Sequence, residues 1–528
     1  MFIEEREFDA QWGQVHMRRA YRSAIGIGLF LLVIALSGAL NFSRLGESSL
    51  FSDEAIYAVP AHHAVAQGQW YPPVYQHAPY AWKPPLVVWP VAASFLIFGE
   101  NEFADRVPSA LAGVLAAGLL FVCATWMLGP WYGFFAAIVF ATCPVWIDWH
   151  GPRQGVADPL SCLLLMIALA SYQRYRDVDS RAWLFAACAA TALSALCKGL
   201  FGPACIFLAT ASDAWYAGRA QQDTHVSERF ASRTVWSTLR VPTLLLFSGI
   251  SLYLPWLVDN ALRTPEFLPQ VYRDIVVRTA RGLEPAHVPG AGYYVKALIE
   301  GFGYFGLLLM ALGLFAAFRS GTDARDRGLR LTALWAVVIV ALIQCSASKL
   351  KWYLDPALPA LAVLVAAGAR AVIVALASRK AWVALATAVL AVIAADHAVA
   401  GWRSTQSAPR EIQMQALVRA MRSIPEVHFY SENFDTPPTR SVAGWNMYFR
   451  EWNQYYLDQV EELTQPIPDE LHATGCDIVL TDRSQELQGR PGFSEARVVP
   501  MNRFDEREGS LAILDLCQGR IEAKLRGG

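Results

Sequence analysis

Long apolar runs separated by short polar breaks dominate the chain as far as residue 402. A run of roughly 17 to 25 apolar residues can cross a bilayer as a helix. Such runs centre on residues 24–41, 107–128, 131–148, 157–173, 182–198, 200–216, 241–259, 297–318, 331–347, 354–377 and 381–400. They predict about eleven transmembrane helices, and up to thirteen if shorter runs are counted. The stretch 85–98 is apolar but short, which predicts a juxtamembrane helix lying in the interface. The first run lacks a small-residue cleavage site and predicts a retained helix. From residue 403 the grammar changes. Residues 427–430 and 477–480 predict short buried strands, and 453–463 and 469–473 predict helices. Together they predict a small soluble α/β domain over 403–528, beside a membrane domain over 1–402.

Composition sharpens this picture. The chain has 528 residues, 55% of them hydrophobic and only 17% charged, where about 25% charged is usual for soluble proteins. The net charge of −1 and the lack of a long basic run exclude a nucleic-acid partner. Arg18, Arg19, Arg22, Arg174, Arg176, Arg181, Arg379 and Lys380 all fall in alternate loops. The positive-inside rule then places the N-terminus in the cytoplasm. An odd number of crossings puts the C-terminal domain outside, in the periplasm of a bacterial cell whose inner membrane holds the chain. Seven cysteines lie in or beside apolar runs and read as small core residues. Cys476 and Cys517 lie in the tail, where pairing is an open question.

The candidate chemistry gathers on the outer side. Asp53 and Glu54 follow the first run within the first outer loop, 42–106. Two adjacent carboxylates at a membrane boundary are costly to desolvate and mark a functional site. Lys83 before Pro84-Pro85, Arg106 at the start of the second run, Arg153, Lys349 and Lys351 sit where helices leave the bilayer. A lipid phosphate lies at that depth, and lysine and arginine are its ligands. No His and Cys set has the spacing of a structural zinc site, so no metal ligands are assigned and no cofactor is predicted. A divalent cation beside Asp53 is left open.

These residues stand in an ordered series that resembles the polyprenyl-phosphate-sugar-dependent membrane glycosyltransferases, the protein O-mannosyltransferase and lipid A aminoarabinose transferase group. The resemblance covers about residues 45–370. It rests on Asp53-Glu54-Ala55-Ile56-Tyr57, Gly68-Gln69-Trp70, Lys83-Pro84-Pro85-Leu86 and the block from Glu102 to Ala110 containing Arg106. Lys198-Gly199 and Ser346-Ala347-Ser348-Lys349, followed by Tyr353 and Pro356, complete it. Trp82 stands where the family often has Glu, and Val156 where a second arginine is common. The acceptor therefore stays open among lipid, glycan and protein, and the sugar and oligomeric state stay open too.

The resemblance implies the GT-C fold and a polyprenyl-phosphate sugar as donor. An acceptor would attack the anomeric carbon opposite the departing phosphate, inverting that centre. Asp53 is then the general base or orienting acid, with Glu54 as the second acid. Lys83, Arg106 and Lys351 would hold the donor phosphate. Tyr57, Arg153, Asp158, His287, Lys349 and Tyr353 would line the sugar or acceptor pocket. A double-displacement glycosidase needs a second carboxylate across the sugar, which adjacent residues seldom supply. A lipid or glycan transporter or flippase is the alternative class. It would carry charges in mid-span, whereas here they cluster at one face.

Overall fold

The computed structural model describes residues 24–406, except 49, 51–52, 76–77, 148–149, 223–230, 283–287, 320 and 322, together with five strands of the tail. Two compact units separate. One comprises Met1–Ser43, Pro79–Val87 and Val107–Gln406; the other comprises Arg44–Ala78, Val88–Arg106 and Ser407–Gly528.

Helices account for nearly all of the first unit. Its elements are α1 (Ala24–Phe42) and, after α2 (Asp53–Gln67) and α3 (Trp89–Phe98) of the other unit, α4 (Glu102–Leu128). There follow α5 (Pro130–Ala141), α6 (Pro144–Ile147), α7 (Asp158–Val178), α8 (Arg181–Lys198), α9 (Phe201–Gln222) and α10 (Ala231–Arg263). The short α11 (Phe267–Tyr272) and α12 (Arg278–Arg281) flank a π-helical turn. The series ends with α13 (Tyr293–Arg319), α14 (Ala324–Cys345), α15 (Leu358–Ala375) and α16 (Lys380–Gln406). Each run expected to cross contains helix. Six helices, α1, α4, the 239–263 part of α10, α13, α14 and α15, are long and apolar enough to cross a membrane by length and composition. The run at 131–148 is not one helix. It breaks after Ala141, because Pro144 cannot donate to the ladder and the Thr142 hydroxyl instead bonds back to the Ile138 carbonyl at 2.7 Å.

The core is built around α15. Every residue from Leu358 to Ala369 is buried, so this helix is apolar all round, as a central helix must be. It crosses α13 where Gly313 meets the Leu364 carbonyl and Gly368 meets the Leu309 carbonyl. A Cβ at either position would collide with backbone, so only glycine permits this approach. Within α13, Gly303 (φ 66°, ψ 170°) joins two helical pieces. At the far end of α7 from Asp158, Arg176 pairs with Asp213 of α9, and Arg327 of α14 reaches Asp177 at 3.1 Å. These pairs staple three helices at one level. Among the cysteines, Cys143, Cys162, Cys197 and Cys205 are buried as expected, but Cys345 is exposed at the end of α14.

In the second unit, α2 packs on α3. The expected interfacial segment Pro85–Phe98 starts as a 3₁₀ turn, Pro85–Val87, whose residues belong to the first unit and pack on α8. It continues as α3, which leaves Leu96 and Ile97 exposed as an interfacial helix would. The tail contributes a five-stranded sheet in the order 464–466, 427–431, 476–481, 512–515, 497–500. The first three strands run parallel, with Phe429 opposite Ile478, and the last two add antiparallel. Parallel neighbours require crossover connections. The helices expected at 453–463 and 469–473 lie outside the described residues, as does Cys517.

Candidate functional site

Asp53 and Glu54 form the first turn of α2, where the helix dipole favours negative charge. Their environments then diverge. Glu54 is buried, and its two oxygens take a fork from Arg106: Nε to Oε1 at 2.7 Å and Nη2 to Oε2 at 3.0 Å. Nη1 of the same arginine donates to the carbonyls of Leu45 and Ser48 at 2.8 and 2.9 Å. One guanidinium therefore ties the acidic loop to the start of α4. Asn101 caps that helix by accepting from the Ala104 amide at 2.9 Å, which sets the position of Arg106. Asp53 is only half-buried, and its Oδ2 receives the Tyr57 hydroxyl at 3.4 Å. Of the two acids, Glu54 is buried against the arginine, whereas Asp53 is half-buried. The next turns of α2 are anchored by His62, whose Nδ1 meets Glu100 at 2.6 Å. Asp105, fully buried with neither carboxylate oxygen hydrogen-bonded, lies within electrostatic reach of Glu54 and Arg106 and went unassigned in the sequence.

A second polar centre lies in the first unit. Asp158 opens α7 and is buried. Its Oδ1 receives the Lys198 ammonium from the end of α8, and its Oδ2 faces His150 Nδ1 at 3.4 Å. The His150 ring stacks on Trp352, centroids 4.1 Å apart and planes at 9°. Asp355, two residues after Tyr353, is fully buried, and both of its oxygens are without a hydrogen-bond partner. Lys351 and Tyr353 flank Trp352 in the 3₁₀ turn Lys351–Leu354 and are half-buried. Lys351 reaches Glu300 of α13 at 2.7 Å, an exposed pair of the kind that contributes little to stability and exchanges readily. Lys349 is buried with its ammonium on the Ser346 carbonyl. Lys83 is half-buried just ahead of the Pro85–Val87 turn.

Arg153 sits against the end of α1. Its Nη1 donates to the Leu40 and Ser43 carbonyls at 2.6 and 2.8 Å, closing the C-terminal end of α1. Orphan carbonyls at a helix end are the usual partners of such a cation. His287 lies outside the described residues. Among the described residues, no group of three or more His, Cys, Asp or Glu side chains is arranged to hold a metal ion. Trp352, Asp355 and Glu300 are the residues that site reasoning from the sequence missed, and His150, one of the polar residues of the outer side, was given no role. Only Trp352 had a local signal, its place between Lys351 and Tyr353.

Comparison with known proteins bears on the fold and the family likeness. Residues 82–220 match the family model described as dolichyl-phosphate-mannose-protein mannosyltransferase. The undecaprenyl phosphate-alpha-4-amino-4-deoxy-L-arabinose arabinosyl transferase 1 of Pseudomonas fluorescens is 24% identical over 332 residues, covering 59% of this chain and 54% of that one. The corresponding transferase of Pseudomonas savastanoi is 26% identical over 359 residues, 66% of this chain and 62% of that one. The chain thus spans a little over half the length of the curated relatives it matches. Among solved structures, ArnT from Cupriavidus metallidurans bound to undecaprenyl phosphate superposes with a TM-score of 0.63 at 18% identity, covering 92% of this chain and 98% of that one. The archaeal oligosaccharyltransferase AglB from Archaeoglobus fulgidus, in complex with an inhibitory peptide and a dolichol-phosphate, gives 0.55 at 13% identity, covering 82% of this chain and 63% of that one. The chain therefore has the helical GT-C membrane fold and resembles the polyprenyl-phosphate-sugar-dependent membrane glycosyltransferases in both sequence and architecture.

Proposed function

We propose that the protein is a membrane glycosyltransferase that moves a sugar from a polyprenyl-phosphate donor to a lipid, glycan or protein acceptor by inverting single displacement. The observation that carries this reading is the division of labour between the adjacent acids. Glu54 is neutralised by a buried arginine fork, while Asp53 retains a half-exposed carboxylate at the head of the same helix. The activities of the relatives and the shared fold support the donor class. The donor's phosphate is its own leaving group, so the protein's work is to position, to activate the acceptor and to stabilise the departing charge. Asp53 is the general base, or the orienting acid where the acceptor is already a phosphate. Lys83 and Lys351 are the phosphate ligands; the Lys351 ammonium would leave Glu300 for the stronger charge. Asp158, Lys349 and Tyr353 line the sugar or acceptor pocket. The direct test is transfer by purified protein with undecaprenyl phosphate 4-amino-4-deoxy-L-arabinose, followed by mass spectrometry of lipids and glycans in a deletion strain and its complemented control. Identical lipid and glycan profiles in the two strains would remove the reading. The transporter alternative draws on the break at Gly303 in α13; lipid translocation without sugar transfer would put it first.

Two further expectations belong to this reading. Lys83→Ala should raise the apparent donor KM or lower kcat roughly 10- to 100-fold, the effect of losing one charge-assisted phosphate contact. Acceptor KM should hardly change, and a donor titration equal to wild type would leave Lys83 as an interfacial anchor. The cation bias and odd number of predicted crossings place the chemistry on the extracytoplasmic face, with the N-terminus in the cytoplasm of a bacterial inner membrane and the C-terminal domain in the periplasm. A reporter fused after Gly528 should be active only in the periplasm; cytoplasmic activity would mean an even number of crossings.

A further inference from the structure

We infer that His150 is a positioning residue for Asp158, held in its working orientation by the face of Trp352. The inference rests on the transfer reaction proposed above, in which Asp158 lines the pocket. The buried Asp158 carboxylate has two oxygens and two different partners, Lys198 on one and His150 Nδ1 on the other. A carboxylate can only accept, so Nδ1 carries the ring proton. His150 belongs to the connection ahead of α7, where it adopts φ 58°. That left-handed conformation is one that histidine takes more readily than most side chains. Its backbone amide is fixed by Gln154 Oε1 at 2.7 Å, and near-parallel stacking on Trp352 sets the plane of the ring. Backbone, ring plane and proton are thus each constrained by a separate contact.

The need for such a clamp follows from Asp355. This second carboxyl is fully buried, has no hydrogen-bond donor of its own, and lies within electrostatic reach of both Asp158 and Lys198. One lysine therefore faces two buried acids. Lys198 alone could hold Asp158 in more than one rotamer, or swing between the acids. A donor on the second oxygen leaves Asp158 one orientation. The same contact joins three chain segments: the His150 connection, the end of α8, and the 3₁₀ turn that carries Lys351 and Tyr353 on either side of Trp352.

The test uses full-length protein in lipid nanodiscs, with undecaprenyl phosphate 4-amino-4-deoxy-L-arabinose as donor and lipid A as the acceptor probe. His150→Ala should lower kcat roughly 10- to 100-fold, the usual cost of a misplaced reacting group, with donor KM within about twofold of wild type. Trp352→Ala should match it, whereas Trp352→Phe, which keeps a ring face, should stay within about threefold of wild type. Adding His150→Ala to Asp158→Asn should cost little more, since His150 acts through that carboxylate. A wild-type kcat in His150→Ala, or Trp352→Phe as damaged as Trp352→Ala, overturns the inference. A readout that needs no turnover is the imidazole ¹⁵N signal of His150, assigned by its loss in His150→Gln. It should move in both Asp158→Asn and Trp352→Ala, and a signal unmoved by both also overturns the inference. If the signal moves while wild-type protein transfers no sugar, the proposed reaction falls and the positioning role stands.

Discussion

Asp53→Asn is expected to reduce sugar transfer by about 10² or more, which is what removal of a general base costs, while the melting temperature stays near that of wild type. The substitution keeps the size of the side chain and an oxygen that can accept the Tyr57 hydroxyl, the contact made by Oδ2 at 3.4 Å. It removes only the charge and the capacity to take a proton. Stability should be nearly unaffected, because Asp53 is half-buried and the clasp of this loop is made by its neighbour. Some loss of the favourable charge at the head of α2 remains, worth about 0.3–1 kcal/mol at an exposed helix end. The measurement is kcat of the purified variant beside its melting curve. Turnover near the wild-type value in a folded Asn variant would remove Asp53 from the chemistry. A loss of activity matched by a loss of folded protein would make it a structural acid.

The membrane helices were legible in the sequence because length and apolarity are local properties. Each run from 24–41 to 381–400 contains its own signal; helices lie within all of them, and six are long and apolar enough to cross a membrane. The break between α5 and α6 was less visible, since Pro144 sits inside an otherwise unbroken apolar run. In the tail, the strands around Phe429 and Ile478 stood out as continuous apolar segments. The flanking strands Thr464–Pro466, Arg497–Pro500 and Ala512–Asp515 are three or four residues long, and two end in proline, so alternation had no length over which to appear. The acidic pair was equally plain, but the difference between its members was not. It depends on Arg106, 52 residues away in sequence, and on two loop carbonyls whose direction no residue type records. The role of His150 was hidden for the same reason: its partner Trp352 comes from the other end of the membrane domain.

Arg106 is where sequence and structure point to different experiments. The resemblance gives it to the donor phosphate. In the structure Arg106 is 3% exposed, and its guanidinium is occupied on Nε, Nη1 and Nη2 by Glu54, Leu45 and Ser48. A phosphate could be bound there only by giving up the clasp that orders the acidic loop. The expected result is therefore that Arg106→Ala acts first on stability. Removing one partner of a buried ion pair leaves the other charge unpaired, at a cost of about 3–5 kcal/mol, and two loop carbonyls lose their donor as well. Arg106→Lys should fare nearly as badly, because a single ammonium cannot reproduce a fork plus two carbonyl bonds. Glu54→Gln should lose part of the same stability, and the double variant should lose less than the sum of the two, with a coupling of about 0.5–3 kcal/mol between groups in direct contact. Melting temperature and donor KM, measured on the same preparations, separate the two roles. An Arg106→Lys protein that melts like wild type but needs at least tenfold more donor would return Arg106 to the phosphate. A protein that melts early, and whose folded fraction binds donor normally, makes Arg106 the residue that holds Glu54 down and orders the acidic loop around it.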